Sequence, residues 1–496
     1  MSGRRIPWLL LGAALLLVAN GRWILPLAAW LFPIGWLVFL DRSRRLSGLG
    51  LAFLAFLLIH FSIWWGIIPA PGIIYYIVAA IYAAAYFVPF VVHRLVAGRA
   101  DAFLGTLVFP LAWVSAELVF SRWLTPYGSW ASLTYTQSDS LALVQLASVT
   151  GIAGITFLMT WFASVVAWML RPQVSGHRRL RAAAAYGVVM GVVVVSGQVR
   201  LTGHIDAESV RVAAIVPDAE RLSALETLLQ PVRQGRELAI ADLGLIQEAA
   251  SSLNEDLFKR TRREARAGAR LIAWSETASR VFASEEEAFL AQASRVAAEE
   301  NVILFLAVGV WHPDGTPPFE NKVVVVDTSG VIALQYHKAH PIYGGESSLI
   351  SAGAESVAGY EAGFGRVGAV ICHDLDFPPL LRQASSASLD LVVAPSDDWD
   401  DVAPLHARMA VFRAVENGIT LFRPTRGGRS MAVDSRGRIT ARVDMPDDAM
   451  VADIRIGRVG TVYGVTGDLF SWGCVAGLCV WLVLGARRAR TSRIGE

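Results

Sequence analysis

Three short segments carry residue types suited to acyl chemistry: Trp274-Ser275-Glu276-Thr277-Ala278, Tyr336-His337-Lys338 and Val370-Ile371-Cys372-His373-Asp374. Each closes an apolar, strand-like run: Arg270–Ala273, Gly330–Leu334 and Arg366–Ile371. A carboxylate, an ammonium and a thiol delivered from three strand ends supply a base, a cation and a nucleophile, the set that acyl transfer through a thioester requires. Only the thiolate attacks well, and a free thiol has a pKa of about 8.5. Of the three cysteines, Cys474 and Cys479 fall in the last apolar run and read as packing residues. Cys372 is the single thiol of the polar block that holds the three segments, so no disulfide framework is possible there. It is either a buried hydrophobe or a nucleophile.

The elements that position these residues follow from composition. The chain has 496 residues, 54% hydrophobic and 17% charged, where a soluble protein carries about 25% charged residues. The apolar excess lies in residues 6–199, whereas 203–463 has ordinary globular composition. Three regions are expected. Residues 1–202 form a membrane domain with about seven transmembrane helices. Residues 203–463 form a domain large enough to bury its own core, and 464–496 form a last span with a basic tail. Net charge is only +2 and says little about partners; no nucleic-acid partner is expected.

A crossing helix needs about 20 apolar residues, with a lower limit of about 17. Apolar runs at 6–19, 23–40, 47–66, 73–92, 102–121, 150–170, 183–199 and 467–485 give about eight spans. The first is short and, after Arg4-Arg5, could pass for a signal peptide. A second run follows at once with no A-x-A cleavage pattern between them, which favours a retained hairpin. Alternate loops are basic: Arg4 and Arg5; Arg42, Arg44 and Arg45; Arg94 and Arg99; Arg171, Arg178, Arg179 and Arg181; Arg487, Arg488, Arg490 and Arg493. By the positive-inside rule both termini are cytoplasmic and residues 203–463 lie on the other side. The loop at 121–149, with Trp123, Tyr127, Trp130 and Tyr135, reads equally as an interfacial belt or as a lipid-facing wall. Within the spans, His60 reads as a packing histidine and Glu117 as the partner of nearby Arg122.

In the polar block, Val- and Ile-rich runs at 210–216, 270–274, 302–310, 322–327, 331–335, 367–371, 389–394 and 419–423 are strands. Helical patterns at 234–252, 254–267, 284–300 and 404–417 lie among them. Strands apolar throughout, alternating with helices, give sheets covered by helices. Thr328-Ser329-Gly330 and Asp434-Ser435-Arg436-Gly437 are hairpin turns.

The block resembles the nitrilase (carbon–nitrogen hydrolase) superfamily with its Glu–Lys–Cys triad. Its membrane context resembles the apolipoprotein N-acyltransferase family in particular. Trp113-Val114-Ser115-Ala116-Glu117, Tyr135-Thr136-Gln137, Gly151 and Gly154 look like that family's membrane pattern. Trp274–Ala278 is similar to its W-P-E-T-A, and Lys338 with Gly345-Glu346 to its lysine loop. Ile371-Cys372 is similar to its nucleophile site. Asp397, Trp399, His406, Arg408 and Arg413–Glu416 are similar to its downstream helix. Four departures stand beside the match: Ser275 for Pro, His373-Asp374 for Tyr-Glu, Arg426 for Asn, and Val216-Pro217-Asp218 for a Gln-rich start.

The resemblance implies a multi-pass α-helical membrane domain plus an α/β nitrilase-like domain, an α-β-β-α sandwich. It implies Cys372 as nucleophile, Glu276 as general base, and Lys338 as oxyanion partner together with a backbone N–H near His373. Glu346 would support Lys338 or shape an acyl pocket, Asp374 would orient Lys338 or cap a helix, and His373 and Trp399 would flank the site. The implied donor is a phospholipid and the acceptor a diacylglyceryl-modified lipoprotein. The setting is the bacterial inner membrane with the catalytic domain periplasmic, and a monomer is expected. No cofactor is expected. No metal is expected either, because His337 and His340 lie three apart in an extended region, with His373 and His406 elsewhere. The run Asp397–Asp401 reads equally as the mouth of the site or as a solvated loop. Two other functions compete: a membrane-tethered amidase of nitrilase type, and a non-catalytic lipoprotein-binding homologue.

Overall fold

A computed structural model describes residues 5–96, 103–203, 207–233, 240–313, 315–445 and 448–494. Arg4 and Arg99 lie outside the described residues, as do the side chains of Arg45, Arg487, Arg488, Arg490 and Arg493. The chain divides into two compact units, Met1–Gly203 with Val465–Glu496, and His204–Gly464.

The first unit is helical. It contains α1 (Ile6–Leu17), α2 (Pro26–Asp41), α3 (Arg45–Ile63), α4 (Gly72–Val96), α5 (Val108–Val119), two single turns α6 (Leu141–Val144) and α7 (Ala147–Thr150), α8 (Ile152–Met169) and α9 (Gly176–Thr202). The C-terminal helix Leu469–Ile494 packs on α5 and α8. Among the described residues, Leu46–Ile63, Gly72–Val96, Phe103–Leu124, Ile152–Met169 and Gly176–Thr202 are long and apolar enough to cross a membrane. Ile6–Leu17, Pro26–Asp41 and Leu469–Leu484 are apolar but shorter. The first two pack as an antiparallel pair at glycine-sized distance: a Cβ on Gly35 would lie 2.6 Å from the Trp8 carbonyl oxygen.

Three local expectations need correction. Glu117 does not pair with Arg122. It accepts from Trp113 Nε1 (3.1 Å), Ser132 Oγ (3.1 Å), Thr156 Oγ1 (3.1 Å) and the Leu133 N–H (3.3 Å), while Arg122 pairs with Asp468. A carboxylate buried among apolar helices takes the neutral donors that the following loop folds onto it. That loop is neither belt nor wall, because Tyr127, Trp130 and Tyr135 are fully buried and only Trp123 stays largely exposed. Cys474 packs with Val114 and Ala153, but Cys479 is exposed and packs no core. His60 is a satisfied packing residue, bonded to the Phe56 carbonyl at 2.9 Å and stacked on the Phe56 ring.

The second unit is built on two sheets. Its strands are β1 (Glu208–Ile215), β2 (Leu271–Trp274), β3 (Ser279–Phe282), β4 (Ile303–Trp311), β5 (Phe319–Val326), β6 (Ile332–His337), β7 (Gly359–Glu361), β8 (Arg366–Ala369), β9 (Leu391–Val393), β10 (Ser396–Asp397), β11 (Thr420–Arg423), β12 (Thr425–Arg426), β13 (Arg429–Val433), β14 (Ile439–Asp444) and β15 (Ala449–Ile456). One sheet runs β15-β1-β2-β4-β5-β6, with β3 also on β4; the other runs β14-β13-β11-β9-β8-β7. The central strands β2 and β4 are buried at every residue, as strands covered on both faces must be. Helices α10 (Ala219–Arg233), α11 (Ile240–Arg266) and α12 (Glu286–Glu300) accompany the first sheet. On it, Leu257, Phe258, Phe289 and Val296 meet Ile272, Trp274 and Leu304 in one core. Helices α13 (Pro378–Ser386) and α14 (Ala403–Asn417) belong to the second sheet. The unit is an α-β-β-α sandwich.

Both expected turns close hairpins. Asp327 Oδ1 accepts from the Ser329 and Val331 N–H groups between β5 and β6, and Asp434 Oδ1 from Arg436 and Arg438 between β13 and β14. Helix α10 was not among the helices expected, although Asp218 caps it by accepting from the Arg221 N–H at 3.0 Å. Over the described residues the expected helices at 234–252 and 254–267 are one, α11, and residues 234–239 lie outside the described residues.

Removing the Glu117 carboxylate would take the acceptor from the Trp113 Nε1–H and the Leu133 N–H, whereas the Ser132 and Thr156 hydroxyls keep each other as partners; each buried donor left unsatisfied costs about 1–3 kcal/mol. Glu117→Ala is expected to lower the thermal midpoint of the detergent-solubilised protein, and Glu117→Gln to restore part of the loss. Equal melting of wild type and Glu117→Ala would show that the network carries no stability.

Candidate active site

Three strand ends meet in the sandwich. After β2, the Ser275 N–H donates to Ile215 O (3.0 Å) and the Glu276 N–H to Ser396 O (3.3 Å), so the turn is tied to β1 of the first sheet and to β10, which pairs with β12 in a separate two-stranded ribbon. After β6, the Lys338 N–H donates to Asn321 O (2.9 Å), and the Gly353 N–H donates to Lys338 O (2.8 Å). After β8, the Cys372 N–H donates to Pro395 O (2.9 Å). Cys372 has φ +43° and Thr277, next to Glu276, φ +45°. Neither is glycine, and such conformations cost about 1–3 kcal/mol unless the surroundings hold them. Both occur where the chain must turn sharply to present a side chain at a strand end.

Lys338 is wholly buried, and Glu276 and Cys372 nearly so. Lys338 Nζ lies 2.7 Å from Glu276 Oε1 and 2.5 Å from Glu346 Oε2. Asn321 Nδ2 donates to the same Glu276 oxygen at 2.7 Å, and the Ile342 N–H donates to Glu346 Oε2 at 2.9 Å. Burial opposes the charge on Lys338, but Glu276 and Glu346 outweigh it and hold its pKa well above the usual ammonium value. Burial raises the pKa of Glu276; Lys338 opposes this and Glu346 adds to it. Burial, and then Glu276, push the Cys372 thiol up to about 12, against a hydrogen bond from His406 and the charge of Lys338. At rest the group is therefore an ionic cluster beside a protonated thiol.

Asp374 joins the lysine loop to the cysteine turn. Its carboxylate accepts from Tyr336 Oη (2.8 Å), the His340 N–H (2.8 Å) and the Ile371 N–H (3.0 Å). The same residue therefore caps the turn at Cys372 and orients the segment after Lys338. His373 Nδ1 is 3.0 Å from His340 O, and burial pushes its pKa down to about 4, so it is neutral. The acidic run divides. Asp398 is buried between His406 Nδ1 (2.8 Å) and Arg423 (2.7 Å), Asp397 pairs with Arg426, and Asp400 is exposed. Trp399 is half-buried with its ring edge-on to His406 at 6.3 Å.

Among the described residues, Cys372, Asp398 and His406 are the one group whose atoms lie close enough together for a metal ion. Protein charges already fill it: carboxylates sit at both His406 nitrogens, Asp376 at 3.1 Å and Asp398 at 2.8 Å, and Arg423 sits on Asp398. Of the residues singled out by sequence, Glu276, Lys338, Cys372, Glu346, His373 and Asp374 come together here, and Trp399 stands behind His406. Asn321, Asp376 and Arg423 were not singled out, and Asp398 was named only within the acidic run Asp397–Asp401. Their sequence signal was faint, a polar residue at the edge of an apolar run.

Residues 232–463 match the carbon-nitrogen hydrolase family, and residues 12–165 match the apolipoprotein N-acyltransferase N-terminal domain. The chain belongs to the apolipoprotein N-acyltransferase family. It is 27% identical over 435 residues to an apolipoprotein N-acyltransferase of Geobacter metallireducens, covering 82% of this chain and 79% of that one. It is 24% identical over 408 residues to one of Bradyrhizobium diazoefficiens, covering 76% and 73%. A crystal structure of an amidase from Nesterenkonia sp. is similar at 18% identity and TM-score 0.39, covering 51% of this chain and 94% of that one.

The departures from the apolipoprotein N-acyltransferase pattern have local reasons. Ser275 donates its N–H to Ile215, a hydrogen bond that proline cannot make. Arg426 bridges Asp397 and Glu226, joining β12 to α10. Asp218, in the altered start, caps α10 and pairs with Arg260 at 3.3 Å.

Asp374→Ala would orphan the donors that tie the two loops together, each worth about 1–3 kcal/mol. The catalytic unit is expected to lose more than about 2 kcal/mol in denaturant unfolding of the full chain, and Asp374→Asn less, because one acceptor oxygen remains. A loss below about 0.5 kcal/mol, the range of ordinary surface substitutions, would exclude a clasp at this residue.

Proposed function

We propose that this membrane protein is an N-acyltransferase that moves an acyl chain from a phospholipid, through a Cys372 thioester, to the α-amino group of the diacylglyceryl-cysteine at a lipoprotein N-terminus. The observation that carries the reading is the buried Glu276–Lys338 pair, closed by the half-buried Glu346, beside the only thiol of the catalytic unit. It occurs in a chain that also matches the N-terminal domain of this family.

As the ester carbonyl approaches, Cys372 Sγ bonds to its carbon and Glu276 takes the thiol proton. At rest this transfer is unfavourable, because the thiol titrates near 12. It becomes favourable as the sulfur's charge passes into the new bond. Lys338 offsets the negative charge that develops on the carbonyl oxygen. The intermediate collapses by breaking the bond to the lysophospholipid oxygen, which takes the proton from Glu276. In the second half the α-amine attacks the thioester carbon, Glu276 accepts an amine proton, and the thiolate leaves and is reprotonated. An α-amino group has a pKa of about 8, so an appreciable neutral fraction exists at pH 7.

Cys372→Ser, Glu276→Gln and Lys338→Ala are each expected to lower N-acylation of a diacylglyceryl lipopeptide by at least about 10²-fold, the usual minimum for a positioned base or oxyanion partner. Mass spectrometry should find Cys372 acylated after incubation with labelled phospholipid and no lipopeptide. Near wild-type turnover by the serine variant would remove Cys372 from the mechanism.

The inner-membrane setting, with residues 203–463 periplasmic, is supported by the alternation of arginine-rich loops. A cysteine placed at Glu255 is expected to react with an impermeant maleimide in intact spheroplasts; protection until lysis would reverse the orientation. In phospholipid micelles, adding lipopeptide should convert the products from none or slow free acid to N-acyl peptide. Rapid fatty-acid release that ignores the lipopeptide would make the protein a hydrolase.

A further inference from the structure

A second charged group lies beside the thiol. Helix α14 presents His406, which is buried, as are its partners. Its Nδ1 is 2.8 Å from Asp398 Oδ1, and its Nε2 is 3.1 Å from Asp376 Oδ2. With one carboxylate hydrogen-bonded at Nδ1 and a second within ion-pair distance of Nε2, the ring is favoured as the imidazolium cation. Burial opposes that charge, but Asp376 and Asp398 hold the pKa well above the ordinary histidine value. A ring nitrogen and Cys372 Sγ lie within 4.8 Å of each other.

We propose that His406, clamped between Asp376 and Asp398, is a fourth residue of the thiol's site, a fixed cation that stabilises the Cys372 thiolate in both half-reactions. The lysine cluster cannot do this alone. Lys338 with Glu276 and Glu346 sums to one net negative charge, which disfavours a thiolate, whereas His406 and Arg423 with Asp376 and Asp398 sum to zero, so the cation at the sulfur is not outweighed there. The remaining charges around His406 are accounted for: Arg423 is bound to Asp398, and His373, 3.8 Å from Asp376, is neutral. A cation beside sulfur matters when the proton leaves for Glu276 and again when thiolate departs from the tetrahedral intermediate. The proposal rests on Cys372 being the nucleophile, but its test does not require acyl transfer.

The test is the rate at which iodoacetamide alkylates Cys372 in the full-length protein in detergent, followed by peptide mass spectrometry from pH 7 to 9. His406→Gln is expected to alkylate about tenfold more slowly at every pH, the effect of one pKa unit, with the slope against pH unchanged. A purely structural histidine predicts the opposite sign, because loosening the site exposes a buried thiol and speeds its alkylation. Since His406→Gln strands two carboxylates, the paired variant Asp376→Asn with His406→Gln removes a cation and an anion together. It should fold and still alkylate more slowly than wild type. Alkylation at or above the wild-type rate in both variants overturns the proposal. Slower alkylation in a protein that forms no acyl thioester with phospholipid would instead overturn the proposed function and the half-reaction role, and leave standing the stabilisation of the Cys372 thiolate by His406.

Discussion

The site depends on one costly placement, a lysine ammonium with no access to water. Desolvating such an ion costs several kcal/mol even after relaxation, and only close, well-aligned partners return that energy. Lys338 has two, Glu276 at 2.7 Å and Glu346 at 2.5 Å. The geometry leaves little slack, since either carboxylate drawn away would strand a buried charge. The strand ends, Asn321 on Glu276 and the Ile342 N–H on Glu346 therefore serve one purpose. They hold three charges whose separation the interior would not tolerate. The excess negative charge of the trio has its own consequence, because it presses the neighbouring thiol toward its neutral form.

That consequence bears on a second polar core beside the thiol. His406, Asp376, Asp398 and Arg423 are all buried, and each finds its opposite charge. As the proposed nucleophile, a thiol beside two ionic clusters is neither simply activated nor simply buried. It stays a thiol until a carbonyl arrives, which protects it from adventitious chemistry, and it finds a cation waiting when the charge moves. Asp374 makes the arrangement rigid by spanning the lysine loop and the cysteine turn with one carboxylate.

The three reacting segments were legible in the sequence because each follows an apolar run, and strand ends in a helix-covered sheet are where side chains can converge. The sandwich was legible for the same reason, through strands apolar at every position, such as Ile303–Trp311. What the sequence did not disclose is which polar residues go inside. Asp398 and Asp400 stand in one acidic run, yet Asp398 meets Arg423 and Asp400 faces solvent. The difference is set by a partner 25 positions away, which no local pattern encodes. Glu117 failed in the same way: Arg122 is near in sequence, but the donors that reach Glu117 arrive from the folded loop and from α8.

The proposed ping-pong transfer sets one further demand on Glu276. It must keep the thiol's proton until the lysophospholipid oxygen takes it, then accept another from the amine. An exposed carboxylate would exchange that proton with water and leave the departing oxygen without an acid. Glu276 is almost wholly buried, burial raises its pKa, and Asn321 and Lys338 fix the same oxygen. One oxygen is thus committed to neutral and charged donors, and the other is left to carry the proton. Burial that raises the proton affinity of Glu276 also slows exchange with solvent. The same desolvation that makes Lys338 costly thus lets a single carboxylate serve as base and acid in turn.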